Sequence, residues 1–428
     1  MSFLRSGSAG TGRLAGYGRL PPVRPPAGGH GGARPGGPGG PTLGKRGPLA
    51  RALAKDSVLR HMDWVLIAAV LALALIGTLL VWSATRTGLA QAGGNPDTYL
   101  ERQLLNVAIG LVLLIAVSLI DYRILRTYTP LVYAAACLGL LVVLSPLGAT
   151  VNGAHSWIAL PGGFQIEPSE FAKIGMILML AVVLGGDLRD RASRPGALEV
   201  ALALACGGLP LLLVILQPDL GVTTLLLVLL VGMIAVSGVR LRWLAGLGAA
   251  GVLATLAVWS LHLLKPYQVQ RLTAFANPAA DPRGTGYSAA QAKIAIGSGR
   301  MFGQGLFHGQ LVAGNFVPEQ HTDFIFAVAG EELGFVGAVT IIALLAIVLV
   351  RAIRIAARAD DMFGLLVASG IAIWFGVQSF INIGMTIGIT PVTGLPLPFV
   401  SYGGSALFTD MIAVGVLLAV HRRHRVFD

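Results

Sequence analysis

One carboxylate of this 428-residue chain lies among positive charges, in a polar segment at 264–320 that separates two apolar runs. It is Asp281, in the string Asp281-Pro282-Arg283-Gly284. A reaction that deprotonates a hydroxyl and stabilises a phosphate leaving group needs a carboxylate base beside cations. An Asp before Pro is also a common turn former in a solvated loop of mixed charge, so both interpretations stay open at this point. The nearby cations are Lys265, Arg271, Arg283, Lys293 and Arg300.

Three further ionisable residues stand at the ends of apolar runs, where charge is costly and often functional. Glu170 and Lys173 are three apart, so one helix face can hold them as an ion pair. That pair either serves a substrate site or lets a helix end sit near the membrane surface. Asp219, in Gln217-Pro218-Asp219-Leu220-Gly221, lies in a tight turn, where its carboxylate either caps the next helix or faces a substrate.

A second acidic region surrounds His321. Glu319, His321 and Asp323 are candidate ligands for a divalent cation such as Mg or Mn, which would neutralise a diphosphate. The favoured alternative is that Thr322 or Asp323 caps a helix that continues through Glu331 and Glu332. At least one of these two glutamates is then expected to face protein or water inside the run.

The composition determines which elements must position these residues. With 55% hydrophobic and 12% charged residues, the chain must reside in a bilayer rather than around one soluble core. Apolar runs of about 20 residues match the thickness of the hydrocarbon layer. Since every backbone group in lipid must be bonded, the predicted fold is an all-α polytopic membrane protein of ten helices, with 264–320 as a long extracytoplasmic loop between helices 7 and 8. The runs are 64–84, 103–120, 130–148, 170–186, 196–216, 220–238, 243–263, 322–350, 363–389 and 403–420.

Lys and Arg predict the orientation and the domain limits. Most of them lie on the cytoplasmic side if the N-terminus is inside, and an even number of spans then returns the C-terminus to the cytoplasm. Residues 1–60 are rich in Gly, Pro and Arg and are expected to be a disordered cytoplasmic tail. The membrane domain is predicted at 61–421, with a short cytoplasmic tail at 422–428. Much of the net charge of +11 belongs to the first tail, which favours the anionic membrane surface and not nucleic acid as its partner.

Two groups of glycines are also notable. Gly246, Gly248 and Gly251 are predicted to pack helices closely, as small residues do in membranes. The loop glycines Gly297, Gly299, Gly303 and Gly305 do not have the spacing of a phosphate-binding fingerprint, and no strand precedes them, so nucleotide binding is not predicted there.

Several separate strings together resemble the SEDS family of RodA, FtsW and SpoVE proteins, in the same order along the chain. The match extends over about residues 60–421 and leaves only the N-terminal tail outside it. The matching strings include Ser156-Trp157, Pro168-Ser169-Glu170-x-x-Lys173, Gln217-Pro218-Asp219-Leu220-Gly221, Asp281-Pro282-x-Gly284-x-Gly286-Tyr287, Pro318-Glu319-x-His321-Thr322-Asp323, Gly330-Glu331-Glu332-Leu333-Gly334 and Gly394-Leu395-Pro396-Leu397-Pro398-Phe399-Val400-Ser401-Tyr402-Gly403-Gly404-Ser405.

The resemblance implies a peptidoglycan glycosyltransferase that polymerises lipid II into glycan linked to undecaprenyl diphosphate, outside the plasma membrane. It implies that Asp281 is the catalytic base and that a class B penicillin-binding protein, a transpeptidase, is the partner. Glu170, Lys173 and Asp219 are similar to the family's polar cluster at the floor of the cavity. The matching strings also imply that Arg283, Tyr287, His321 and Ser401 bind substrate.

Some features of the chain favour one subtype or depart from the family. The short segment after His421 and the absence of lysine in 391–394 resemble elongation-type members and favour a RodA-type role in cell shape. Glu167 and His155 stand where family members often carry Gln and a basic residue. The alternatives are a lipid II flippase, a division-type or sporulation-type polymerase, and a scaffold that only recruits the transpeptidase.

Overall fold

The computed structural model describes residues 62–151, 154–159, 165–186, 195–261, 266–277 and 284–426. These residues belong to one compact unit, Ala52–Asp428. Asp281 and Arg283 lie outside the described ranges, as does the predicted tail 1–60.

Helices dominate the described part of the chain, and each of the ten predicted runs corresponds to helical structure. Seven helices there are long and apolar enough to cross a bilayer, so the protein is a multi-pass membrane protein. The count of ten spans stays a prediction. The helices are α1 Trp64–Gln91, α2 Thr98–Leu119, α3 Tyr122–Val143, α4 Pro168–Leu184, α5 Ala197–Leu216, α6 Leu220–Val236, α7 Leu241–Ser260, α8 Pro266–Ala276, α9 Thr285–Ser298, α10 Gln310–Ala313, α11 Ile325–Glu332, α12 Gly334–Arg358, α13 Met362–Ile387 and α14 Gly404–Val426.

Two regions contain structure that hydropathy did not predict. The segment 264–320 was predicted as one polar loop, but its described part forms the helices α8, α9 and α10. Between α3 and α4 the chain forms a small antiparallel sheet of β1 Gly148–Val151, β2 Ala154–Ala159 and β3 Gln165–Ile166, in the order β1-β2-β3. Neither region is apolar for long enough to give a hydropathy signal.

Aspartates begin several of the helices by the same chemistry. Each Oδ1 accepts a backbone N–H from the first turn and so satisfies a donor that the helix itself leaves unpaired. Asp63 accepts from Leu66 N at 3.1 Å, and Asp219 accepts from Val222 N at 3.0 Å. The predicted capping role of Asp219 is therefore observed. Asp63 also receives Arg351 Nε at 2.6 Å, which joins the start of α1 to α12.

The eighth predicted span, 322–350, is broken into α11 and α12 at Leu333–Gly334. The prediction that Thr322 or Asp323 caps this helix is wrong, because α11 begins at Ile325 after Phe324 and receives no side-chain cap. Glu331 is correspondingly in the last turn of a short helix and not in the middle of a long one. Both Glu331 and Glu332 are buried in protein.

The loop after α9 causes this break. The carbonyl groups of Glu331 and Glu332 accept hydrogen bonds from Gln304 N at 2.9 Å and Gly305 N at 3.0 Å. On the other side of the break, Phe335 N and Val336 N donate to the carbonyl oxygens of Arg300 at 2.9 Å and Met301 at 3.1 Å. The loop thus provides partners for the backbone groups that the helix break leaves unpaired.

The glycines of this loop permit the close approach. A Cβ on Gly299 would collide with Gly330 O, and a Cβ on Gly303 would collide with Glu332 O. Gly303 also has a φ of 81°, in the left-handed region that glycine tolerates best.

The prediction of close packing by Gly246, Gly248 and Gly251 is wrong, because a Cβ at each would meet no described atom within 4 Å. They lie on α7, a helix with large exposed apolar side chains such as Leu253.

Candidate functional site

Two fully buried ionisable side chains form an ion pair in α4. Lys173 Nζ lies 2.7 Å from Glu170 Oε2, and the two side chains are 0% and 1% exposed. The spacing of three residues predicted this contact, since such residues share one face of a helix. Burial of a charge is tolerated only when a partner and hydrogen bonds replace water, so the surroundings of the pair matter.

Side chains from α13 and α14 complete the surroundings of this pair. Lys173 Nζ donates to Gln378 Oε1 at 3.1 Å and lies 4.5 Å from the centroid of the Trp374 ring, a cation–π contact. Thr409 Oγ1 donates to Glu170 Oε2 at 3.2 Å. Asp410 is 1% exposed, and its Oδ2 accepts from Phe399 N at 3.1 Å. The pair is therefore enclosed by α4 itself and by two helices that lie more than 200 residues later in the chain.

Glu167 adds a third carboxyl group just before α4. Its Oε1 accepts from Ser169 Oγ at 2.6 Å, and its backbone N–H donates to Ser405 Oγ at 3.0 Å. Burial, together with the charges of Glu170 and Asp219, raises the pKa of Glu167 to about 8. The Glu167 carboxyl group is consequently mostly protonated at pH 7 and can act as a hydrogen-bond donor, as the amide of Gln would.

Asp219 and Asp323 are two further acidic residues close to this ion pair. Burial raises the pKa of Asp219, while the Val222 N–H and the Arg271 guanidinium act in the opposite direction. Burial, with the charge of Glu319, also raises the pKa of Asp323 to about 7, against the opposing effect of the Arg271 guanidinium. Glu170 acts on Asp219 electrostatically, so the predicted residues Glu170, Lys173 and Asp219 do share one polar region.

His321 and Ser401 lie together in a second cluster, which also contains Tyr99 and Tyr402. The His321 ring packs edge-on against Tyr99 at 5.1 Å, and its backbone oxygen accepts from Tyr402 N at 2.9 Å. Ser401 Oγ donates to Thr322 O at 2.6 Å and accepts from Leu397 N at 2.7 Å, so this hydroxyl joins two segments of backbone. Burial lowers the pKa of His321, which keeps the ring neutral at pH 7.

A cavity of about 300 Å³ opens beside this cluster, between the ends of α1 and α2 and the segment 315–321. Two of its lining residues, Asn315 and Glu319, have φ values of 51° and 50°. Left-handed backbone at non-glycine residues is strained and is common where a loop is held for function. The cavity is lined by Ala84, Thr85, Gly88, Leu89, Tyr99, Asn315, Val317, Pro318, Glu319, Gln320 and His321.

Tyr287 is half-buried in the first turn of α9. In the sequence it comes six residues after Asp281.

The candidate cation ligands Glu319, His321 and Asp323 are close in sequence but do not form a metal site. Within the described ranges, no three His, Cys, Asp or Glu side chains are arranged to hold a metal ion.

Sequence reasoning missed Arg271, Asp323 and Asp410 as members of this region. Asp410 had a detectable signal, because an ionisable residue inside an apolar run is a functional candidate by default. Arg271 had no comparable signal, since it was one of five loop cations without a known partner. Asp323 was assigned to a helix cap that the structure does not contain.

Comparison with known proteins shows where the chain belongs. A family model of FtsW, RodA and SpoVE, described as a cell cycle protein, matches residues 63–426. The chain is 38% identical over 369 residues to peptidoglycan glycosyltransferase MrdB of Escherichia coli (strain K12), which covers 86% of this chain and 95% of MrdB. It is 39% identical over 365 residues to stage V sporulation protein E of Bacillus subtilis (strain 168), covering 85% and 98% of the two chains.

A solved structure, entitled "Structural coordination of polymerization and crosslinking by a peptidoglycan synthase complex", contains a similar chain. The TM-score is 0.71 at 32% identity, and the match covers 85% of this chain and 98% of that one. The family match therefore includes both the membrane helices and the polar region around Glu170, Lys173 and Asp219. This chain belongs to the FtsW, RodA and SpoVE family of cell cycle proteins, also called the SEDS family.

Proposed function

We propose that this protein is a peptidoglycan glycosyltransferase that polymerises lipid II at the outer face of the plasma membrane. The observation that carries the proposal is the 38% identity with a peptidoglycan glycosyltransferase, which extends over 95% of that relative. A fold alone would not imply a reaction. The polar region around Glu170, Lys173 and Asp219 supports the proposal, because it gives this family member a buried charged site.

Asp281 is the base in the proposed reaction. Its carboxylate takes the proton of the acceptor sugar's 4-hydroxyl, and the freed oxygen attacks the anomeric carbon of the lipid-linked donor. The bond from that carbon to the diphosphate breaks, and undecaprenyl diphosphate leaves with the electron pair. Attack from the opposite side converts an α-linked donor into a β-linked glycan. Arg283, Tyr287, His321 and Ser401 are proposed to bind substrate.

Not all of these residues have a free side chain for that role. The Ser401 hydroxyl already bonds Thr322 O and Leu397 N, so its proposed contribution is to hold the His321 segment in place. His321 borders the cavity and, as a neutral imidazole, offers both a donor and an acceptor nitrogen. A sugar hydroxyl group, which both donates and accepts hydrogen bonds, can bond either nitrogen of this ring.

Elongation and cell shape are the proposed physiological role, with both termini in the cytoplasm and a class B penicillin-binding protein as the transpeptidase partner. The similarity to a chain from a complex that couples polymerisation with crosslinking supports a partner. Expression in a strain that has lost its elongation-type polymerase tests the role. Restored rod shape supports it, whereas rescue of a division defect alone would assign the protein to the division type.

Purified protein incubated with lipid II tests the reaction directly. The wild-type protein is expected to form glycan polymer on a gel, and Asp281→Asn is expected to form none. Glu101→Gln is the matched control, because Glu101 is an exposed carboxylate in the first turn of α2. Equal polymer from the wild type and Asp281→Asn would overturn the role of Asp281. Lipid movement across vesicles without polymer from any form would favour a flippase.

A further inference from the structure

Arg271 lies where four separate parts of the chain meet. It belongs to α8, and its Nη1 donates to Thr393 O at 3.4 Å. Thr393 lies directly over the start of α6, since a Cβ on Gly221 would be 2.8 Å from Thr393 O. The next residue, Gly394, lies against Asp323, whose Oδ2 would be 3.5 Å from a Cβ there.

The two aspartates at this junction are each held by a hydrogen bond to a different segment. Asp219 caps α6 through Val222 N, and the Asp323 backbone oxygen accepts from Asn382 Nδ2 at 2.8 Å. The same Asn382 Nδ2 donates to Leu395 O at 2.7 Å, which links the Asp323 turn to the segment that carries Thr393. Arg271 acts electrostatically on both Asp219 and Asp323.

This arrangement makes Arg271 a poor ligand for a diphosphate. A guanidinium that binds phosphate well must present its donors to the anion. Here one cation interacts with two carboxylates, so an incoming diphosphate would meet acidic groups as well as the guanidinium. The other described loop cations, Lys293 and Arg300, are exposed. They remain better candidates for the leaving group.

We propose that Arg271 is a positioning residue, which fastens α8 to Thr393, beside the starts of α6 and α11, ten residues before Asp281 in the sequence. It acts through α8 and does not touch the reacting atoms. The inference rests on the proposed transferase function for its kinetic consequence. Its structural consequence, the tethering of α8, can be measured without any reaction.

Hydrogen exchange and steady-state kinetics of Arg271→Ala test this inference. Backbone amides of 266–277 are expected to exchange faster in the variant, because the tether of α8 to Thr393 and the two carboxylates is lost. In the lipid II assay, kcat is expected to fall by roughly ten- to a hundredfold, as misplacement of a catalytic group by about 1 Å does. KM is expected to change by less than about threefold, because uniform substrate binding is retained.

Four further variants make the test specific. Arg271→Lys is expected to restore part of kcat, since an ammonium keeps the charge but not the planar donor geometry. Asp323→Asn is expected to accelerate exchange in α8 in the same direction as Arg271→Ala, and the double variant Arg271→Ala, Asp323→Asn is expected to add little, because both single changes remove the same electrostatic interaction. Arg300→Ala is the charge-matched control and should leave exchange in α8 unchanged.

The outcomes separate this inference from the proposed function. Unchanged exchange in 266–277 for Arg271→Ala would overturn the tether. A large rise in KM with kcat intact would overturn the positioning role and make Arg271 a substrate ligand. If the wild type forms no polymer while α8 loosens in Arg271→Ala, the proposed reaction fails and the tether stands.

Discussion

Lys173 and Glu170 form a salt bridge of 2.7 Å in a place that water does not reach, one turn into α4. Gln378 from α13 and Thr409 from α14 bond the same pair, so its integrity depends on how three helices pack. A polar network of this kind is stable only when every member has its partner. The pair is thus both part of the candidate site and a structural junction.

Removing one member of this pair is expected to destabilise the protein strongly. Lys173→Ala leaves Glu170 as an uncompensated buried charge near Asp410, and such a change costs roughly 3–5 kcal/mol. The double variant Lys173→Met, Glu170→Gln removes both charges and should be more stable than the single variant. Thermal unfolding in detergent, followed by intrinsic fluorescence, measures the order. A double variant less stable than Lys173→Ala would contradict this explanation.

The stability of the protein is expected to fall as pH rises from about 4.5 to about 8 because of Glu167. Burial raises the folded-state pKa of this group from 4.5 to about 8, so the folded state binds more protons than the unfolded state throughout that interval. The stabilising contribution is complete below 4.5 and is lost as pH passes the folded-state pKa. Asp323, with a pKa raised from 3.8 to about 7, acts in the same direction.

Glu167→Gln removes one titrating group without a large change of shape. Its melting temperature, measured at several pH values between 4.5 and 8, should depend less steeply on pH than that of the wild type. Glu101→Gln, at an exposed carboxylate, should retain the wild-type slope. An unaltered slope for Glu167→Gln would show that Glu167 is ionised in the folded protein.

A methyl group at Gly303 is expected to disrupt the contact between the loop and the break between α11 and α12. Gly303→Ala places a Cβ against Glu332 O at a φ of 81°, and strain of this kind costs roughly 1–3 kcal/mol. Gly297→Ala is the matched control, because a Cβ there meets no described atom within 4 Å, and this change within α9 should leave stability unchanged or raise it by up to about 1 kcal/mol. Equal melting temperatures for the two variants would contradict the packing argument.

The sequence predicted those features of the fold that depend on interactions between neighbouring residues. Hydropathy located the helices, because burial in lipid requires long apolar runs, and a spacing of three residues predicted the Glu170–Lys173 pair. The cap at Asp219 followed from its residue type and position before an apolar run. These features need only a few neighbouring residues to specify them.

Features that join distant segments could not be predicted in the same way. The break at Gly334 arises from hydrogen bonds to 300–305, and no property of 322–350 alone requires it. The junction of Arg271 with Asp219, Asp323 and Thr393 joins residues that are 50 to more than 100 positions apart in the chain. The catalytic assignment to Asp281 came from the family resemblance and stays a prediction.

The replacement of helix hydrogen bonds by the segment 300–305 has a consequence for how sequences of this architecture can vary. Main-chain atoms form those bonds, so exposed side chains along the segment, such as those of Met301 and Phe302, can be exchanged without loss of the bonds. The glycines of this loop are restricted, Gly299 and Gly303 because a Cβ would collide with a carbonyl oxygen and Gly305 because its φ is 96°. The exposed surface of the segment can therefore adapt to different neighbours while the break between α11 and α12 keeps its hydrogen-bond partners.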